Sequence, residues 1–162
     1  MYRISKDIRA QRSAQRIGKA LLDCARQKPF AEISVSDLHR DYQISRTTFY
    51  RLFDNTVDVL EYMTECMARE ILLNLRGDTL KEQVVYAMIE LEKRRDLIEV
   101  LSENSRLDIF QKKGEKYIPQ SQLMAGLDAD GKDEYFHRIL SHLIPLVIDL
   151  WLSNGRTDPP EE

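Results

Sequence analysis

The sequence has few of the residues that interrupt helices. Glycine and proline together number 11 of 162 residues, about 7% against roughly 12% in an average protein. Because a sheet of many strands needs many tight turns, this shortage favours helices over a many-stranded sheet. Hydrophobic residues make up 43% of the chain, which is enough for a core. Together with the shortage of glycine and proline, this composition predicts an all-α fold.

Cysteines and long apolar runs are also scarce. The two cysteines, Cys24 and Cys66, lie far apart and form no metal-binding or redox spacing, which is typical of a cytosolic chain with free thiols. No apolar run reaches the roughly 18 residues of a membrane span. The basic N-terminus has no apolar segment of the secretory kind. We therefore expect a cytoplasmic protein without a metal, a cofactor or a membrane contact.

Enzyme motifs are absent as well. The chain has no Ser/His/Asp order typical of hydrolases, no glycine-rich phosphate loop and no His-Glu-x-x-His helix. His137 and His142 are five residues apart, so they do not share a helix face and predict no zinc site. These absences indicate a protein that is not an enzyme.

The charge, in contrast, is unevenly distributed. Residues 1–55 carry 11 Lys or Arg against 6 Asp or Glu, and residues 56–162 carry 13 against 21. We predict two domains with this boundary, a basic head at 1–55 and an acidic helical body at 56–162. A basic head favours a polyanionic partner such as nucleic acid, although chance charge asymmetry remains the alternative.

Apolar periodicity predicts most of the helices. Six are expected at about 9–27, 35–42, 46–53, 57–76, 79–93 and 94–111, with a split of the sixth near 102–105 as an open alternative. Residues 112–132 are expected to form a loop with one short helix near 121–127, because glycine and proline concentrate there. A last helix is expected at 133–153, kinked at Pro145, and Asn154-Gly155 would end it.

The second and third helices are short and are joined by three residues, which is the outline of a helix-turn-helix. Arg46, Thr47 and Thr48 stand at the start of the third helix, where side chains of such a motif reach base edges. Phosphate contacts are expected from Ser34, Tyr50, Arg51 and the basic first segment. The alternative for each is an ordinary solvated face, partial core packing for Tyr50, or a disordered arm.

The run from Ser34 to Asn55 resembles the N-terminal domain of the tetracycline-repressor (TetR) family. The likeness is strongest over Ile44-Ser45-Arg46-Thr47-Thr48-Phe49-Tyr50-Arg51-Leu52-Phe53 and extends over about residues 9–65. Residues 135–162 show a weaker similarity to the late dimerisation helix of one subgroup.

The resemblance implies a homodimeric transcriptional regulator, with repression as the expected direction, that binds a palindromic operator in double-stranded DNA. A small apolar or aromatic effector, bound in the body, would release it. The DNA contacts that the resemblance and the motif imply are Ser34, Ser36, Ser45, Arg46, Thr47, Thr48, Tyr50 and Arg51.

Three positions depart from the family pattern. Gln43 occupies a turn position that is usually glycine and must adopt its backbone conformation with strain. Thr56 replaces a phosphate-binding lysine, and Ser36 replaces an arginine that reads bases in some members. Two alternatives therefore stay open: a protein-interaction module of the same shape with weak or no specific DNA binding, and a regulator without an effector.

Two apolar sets in the body complete the predictions. An effector pocket is predicted from Met63, Met67, Tyr86 and Phe110, with ordinary core as the alternative for each. The wide apolar stripe of the last helix can bury two faces, which predicts a dimer interface of Phe136, Ile139, Leu140, Leu143, Val147 and Trp151. Residues 158–162 look like a helix start at which the chain stops, so we expect native truncation or a shortened chain.

Overall fold

The structure is a computed structural model that describes residues 1–124 and 133–154. Its helices are α1 (Ile8–Ala25), α2 (Val35–Tyr42), α3 (Arg46–Leu52), α4 (Thr56–Leu73), α5 (Leu80–Glu92), α6 (Arg95–Glu103), α7 (Leu107–Tyr117) and α8 (Asp133–Ser153). Three 3-10 turns lie at Phe30–Glu32, Ile118–Gln120 and Gln122–Met124. No strand occurs within the described ranges, so the all-α prediction is confirmed there.

The predicted sixth helix is split, as the open alternative had it. α6 ends at Glu103 and α7 begins at Leu107, and Ser105 between them has a positive φ of 54°. A left-handed residue cannot continue a right-handed helix, so the chain turns there. The last helix has the predicted bounds and keeps Pro145 inside it.

The loop expected from Lys112 was placed too early, because α7 continues to Tyr117. Gly114 is buried in α7, and a Cβ built on it would lie 3.4 Å from the Cβ of Ser141 in α8. This glycine therefore permits close packing of two helices and does not end one. The short helix expected near 121–127 appears as the 3-10 turn Gln122–Met124. The rest of that prediction, Gly155 and residues 158–162 lie outside the described residues.

The chain divides into two compact units, Met1–Met63 and Thr64–Glu162, with the boundary inside α4. The domain boundary predicted after residue 55 stays a prediction. In the first unit α1, α2 and α3 pack on one another around the fully buried Leu21, Leu38 and Phe49. Phe53 adds a second aromatic ring, 5.8 Å from that of Phe49. This core fixes the crossing of α2 and α3.

The second unit is built on the packing of α7 against α8. Ile98, Leu101 and Ile148 are fully buried in its core. A capping box at the start of α5 and ion pairs on the surface complete the unit. None of the helices that the structure describes is long and apolar enough to cross a membrane.

Candidate nucleic-acid interface

The start of α2 is fixed by a reciprocal cap. The Ser34 hydroxyl accepts a hydrogen bond from the Asp37 N–H at 3.3 Å, and the Asp37 carboxylate accepts one from the Ser34 N–H at 2.8 Å. The Ser34 hydroxyl also donates to that carboxylate at 2.7 Å. Ser34, a predicted phosphate contact, therefore lies exposed at the first turn of α2 but uses its hydroxyl in the cap.

The link between α2 and α3 turns at Gln43, whose φ of 55° and ψ of 32° are left-handed. This conformation was expected, because the TetR family, which the sequence resembles, usually has glycine at this position. Its N–H donates to the His39 carbonyl at 3.1 Å, which closes the end of α2. Ile44 follows and is buried, which anchors the link to the core.

Helix α3 begins at a second cap. The Ser45 Oγ accepts a hydrogen bond from the Thr48 N–H at 3.1 Å and donates to the Thr48 Oγ1 at 2.8 Å. Thr48 is half-buried. Both residues were predicted to contact DNA, and both use their hydroxyl groups to start the helix.

One face of α3 is buried and the opposite face is exposed. Phe49 and Leu52 are 0% and 2% exposed. At about 100° per residue, the positions on the other side span an arc of about 140°. Four polar side chains occupy that arc: Arg46, Tyr50, Thr47 and Arg51, in order around the helix. All four are predicted DNA contacts, and they form what we call the exposed arc.

The edge of the exposed arc nearest α2 carries a contact between the two helices. The Arg46 guanidinium donates a hydrogen bond to the Ser36 Oγ at 3.0 Å. Ser36 is exposed on the first turn of α2. The bond restricts the rotamers of Arg46, so part of the entropy cost of binding is met before a ligand arrives.

Tyr50 is held by packing on one side and open on the other. Its ring lies 5.4 Å from the ring of Phe49 in an edge-to-face arrangement, yet Tyr50 as a whole is 53% exposed. Such a ring presents its hydroxyl to solvent from a fixed position. This is the placement that a phosphate-contacting tyrosine needs.

The N-terminal segment is docked on the end of α3. The Arg3 N–H donates to the Leu52 carbonyl at 2.8 Å, and the Arg3 side chain forms an ion pair with Asp54. Tyr2 forms an isolated antiparallel bridge with Phe53. Sequence reasoning treated this segment only as a basic arm, because backbone pairing between residues fifty positions apart leaves no periodic signal.

The second unit contains an apolar cavity of about 250 Å³ between α4, α5, α7 and α8. Phe110 of the predicted effector set lines it, together with apolar side chains such as Leu72, Val84 and Ile144. Gln83 is the polar residue of the lining. The Gln83 amide donates a hydrogen bond to the Gly77 carbonyl at 3.2 Å, so the wall of the cavity is apolar and fits a small apolar ligand.

The other three residues of the predicted effector set do not line the cavity. Met67 is buried at 2% exposure, and Met63 belongs to the first unit, where it lies against Gly18. Tyr86 lies beneath the Arg76 guanidinium, 5.9 Å from the ring centre. The cavity could instead have been predicted from the sequence of α5 and α8. These helices carry more apolar residues than their packing buries.

The outer face of α8 is apolar and exposed. Of the predicted interface residues, Ile139, Leu143 and Val147 are 54%, 45% and 48% exposed, whereas Phe136, Leu140 and Trp151 are partly buried within their own unit. Leu146 and Leu150, which the prediction did not include, are 62% and 59% exposed. Large adjacent apolar side chains of this kind mark an interaction surface.

Comparisons with known proteins found no matching family model and no matching curated protein. Among the described residues there is also no group of three side chains that could hold a metal ion.

Proposed function

We propose that the chain is a DNA-binding transcriptional regulator of the TetR type, acting as a homodimer in the cytoplasm. One observation carries the proposal: Arg46, Thr47, Tyr50 and Arg51 share the exposed arc of α3, directly opposite its buried apolar face. This arrangement leaves a short helix, about 10 Å long, free to enter a major groove about 12 Å wide.

The flanks of α3 support the same function. α2 packs against α3 and the N-terminal segment pairs with the last residue of α3, and the exposed arc stays exposed beside both. The first 55 residues carry 11 Lys or Arg against 6 Asp or Glu, so their net charge is positive. A positive field around an exposed helix face attracts DNA and slows its release.

The second unit supports the dimer and the effector. The exposed face of α8 offers the apolar area that a second copy would cover, and two copies would place two α3 helices on half-sites about one turn, roughly 34 Å, apart. The apolar cavity would admit an effector whose binding changes the affinity for DNA. Repression, relieved by that effector, is the mode we propose.

Selection of bound duplexes from a random-sequence pool tests this function. We expect an enriched palindrome for the parent chain at physiological salt. Arg46→Ala is expected to lose about tenfold to 100-fold of the preference for one base pair in each half-site. Arg69→Ala, which removes an exposed arginine from the second unit, is the matched control and is expected to retain the full preference.

Two outcomes would contradict the proposal. A pool without an enriched palindrome would favour the protein-interaction module, and Arg46→Ala with unchanged preference would remove α3 as the reading element. Circular dichroism and the oligomeric state of each variant show whether a loss arises from unfolding. Ser36→Ala is expected to lose a smaller part of the same preference, because it frees Arg46 without removing it.

A further inference from the structure

A hollow of about 390 Å³ lies in the first unit between the N-terminal segment, the start of α1 and the end of α3. Arg3, Arg9 and Arg51 line it, together with Ser5 and Asp7. We call it the arginine hollow. Three arginines from three separate elements thus line one space, and one of them, Arg51, belongs to the exposed arc.

Two of these three guanidinium groups have no partner within the part of the chain that the structure describes. Arg3 forms an ion pair with Asp54. Across residues 1–124 and 133–154, neither Arg9 nor Arg51 makes a side-chain hydrogen bond or ion pair. The Asp7 carboxylate accepts the Arg9 N–H at 2.8 Å and thereby caps α1. After the pairing of Arg3 with Asp54 and the charge of Asp7 are counted, the arginine hollow keeps an excess of positive charge.

Arg9 also occupies an unfavourable position in its helix. It is the second residue of α1, whose first turn contains no acidic residue. The N-terminal end of a helix carries a partial positive charge, so a cation there is destabilising. A residue that costs stability and faces another unpaired arginine is better explained by an anionic ligand than by the fold.

We infer that the arginine hollow binds one backbone phosphate of DNA in each half-site. This inference rests on the proposed function and names a contact for it. Arg51 lies at the edge of the exposed arc about 140° from Arg46, which turns toward Ser36. When α3 lies in a major groove, its edges face the two phosphate backbones, so the arginine hollow meets the strand on the side away from α2. Paired guanidinium groups match the two unesterified oxygens of a phosphodiester.

Arg9→Gln tests the site in the full-length chain, with affinity measured over a series of salt concentrations. We expect weaker binding to the selected operator and to random duplex by one common factor, about fivefold to tenfold per subunit at 0.1 M salt. The slope of log affinity against log salt should fall by about 0.9 per subunit. The melting temperature should be unchanged or higher, since the charge at the N-terminal end of α1 is removed.

Arg26→Gln is the matched control, because Arg26 follows the other end of α1 and its loss should alter neither affinity nor slope. Neutralising single phosphates of the operator as methylphosphonates provides a second measurement. One position per half-site should weaken the parent chain at least as much as Arg9→Gln does, and should weaken the Arg9→Gln variant by a smaller factor than it weakens the parent chain.

Several results would overturn the inference. Unchanged affinity and slope in folded Arg9→Gln would refute the phosphate site while Arg46→Ala still tests the proposed function separately. A loss of base preference instead of a uniform loss would make Arg9 a base contact. A parent chain that binds no duplex at all would refute the proposed function and, with it, this site.

Discussion

Asp37 connects the cap of α2 to the link that follows α1 and to the next turn of α2. Besides Ser34, its carboxylate accepts hydrogen bonds from Lys28 Nζ at 2.7 Å and from the Arg40 guanidinium at 3.0 Å. The bonds from Lys28 and Ser34 hold the pKa of Asp37 well below its usual range. Ionised Asp37 therefore stabilises the fold above about pH 4, and this contribution falls as the pH drops through the folded pKa.

Asp37→Asn is accordingly expected to destabilise the chain most at about pH 7 and by less at about pH 3, because the contribution of Asp37 is lost gradually between its unfolded and its lower folded pKa. Urea unfolding of both chains at the two pH values measures the difference. Asp23→Asn is the control, since it removes a carboxylate that lies 3.6 Å from the exposed Arg26, and an ion pair of that kind contributes little to stability. A difference for Asp37→Asn that stays constant with pH would contradict the assignment.

Sequence reasoning reached part of this residue-level detail. The cap can be found from the sequence alone, because Ser34 followed three residues later by Asp37 is the local spacing of a capping box. The bond from Lys28 could not be predicted, since it depends on how α1 and α2 pack. The same distinction holds for Arg46, whose exposure was predicted and whose bond to Ser36 was not.

The link between α2 and α3 shows how an element can be fixed against a local preference. Gln43 adopts a left-handed conformation that costs a non-glycine residue about 1–2 kcal/mol. The buried Ile44 and the caps at Ser34 and Ser45 fix the backbone on both sides of it. The turn is therefore imposed by its surroundings.

Gln43→Gly is expected to stabilise the chain by about 0.5–1 kcal/mol, because the gain in left-handed geometry exceeds the added entropy of the unfolded chain. Gln43→Val is the opposing control and should destabilise it, since a β-branched residue avoids positive φ. Urea unfolding measures both. Destabilisation by glycine would show that the Gln43 side chain, not its backbone, holds the turn.

The helices were predicted well where their apolar spacing was regular. They were predicted less well where packing against another helix determines where a helix ends. α8 was predicted with its bounds because its stripe is continuous. The end of α7 was not, because Gly114 reads as a helix breaker in the sequence and acts as a contact point with Ser141 in the fold. The apolar cavity between α4, α5, α7 and α8 depends on incomplete packing among four helices. The apolar stripe of any one helix does not predict such a gap.

At the scale of the whole molecule, the exposed apolar face of α8 is the surface that a second copy is proposed to cover. Leu146→Glu with Leu150→Glu is expected to raise the dissociation constant of the proposed dimer about 100-fold or more. The reason is that two leucines which the second copy would bury are replaced by two charges. Analytical ultracentrifugation over a concentration series measures it.

Leu73→Glu is the control for that experiment, since Leu73 is 44% exposed on α4 and its change should leave association unaltered. A double variant on α8 that associates as the parent does would place the interface elsewhere. Loss of helix content in that variant would indicate damage to the unit, and single variants at Leu146 and Leu150 then separate the two effects.

The two thiols differ in a way that makes local opening measurable. Cys24 is 4% exposed on the inner face of α1, and burial raises the pKa of its thiol, whereas Cys66 is half-buried on α4. The thiolate is the group that attacks a thiol reagent, so Cys24 reacts when α1 separates from its core. In a chain with Cys66→Ser, the labelling rate of Cys24 therefore reports the opening free energy of the first unit from native conditions alone.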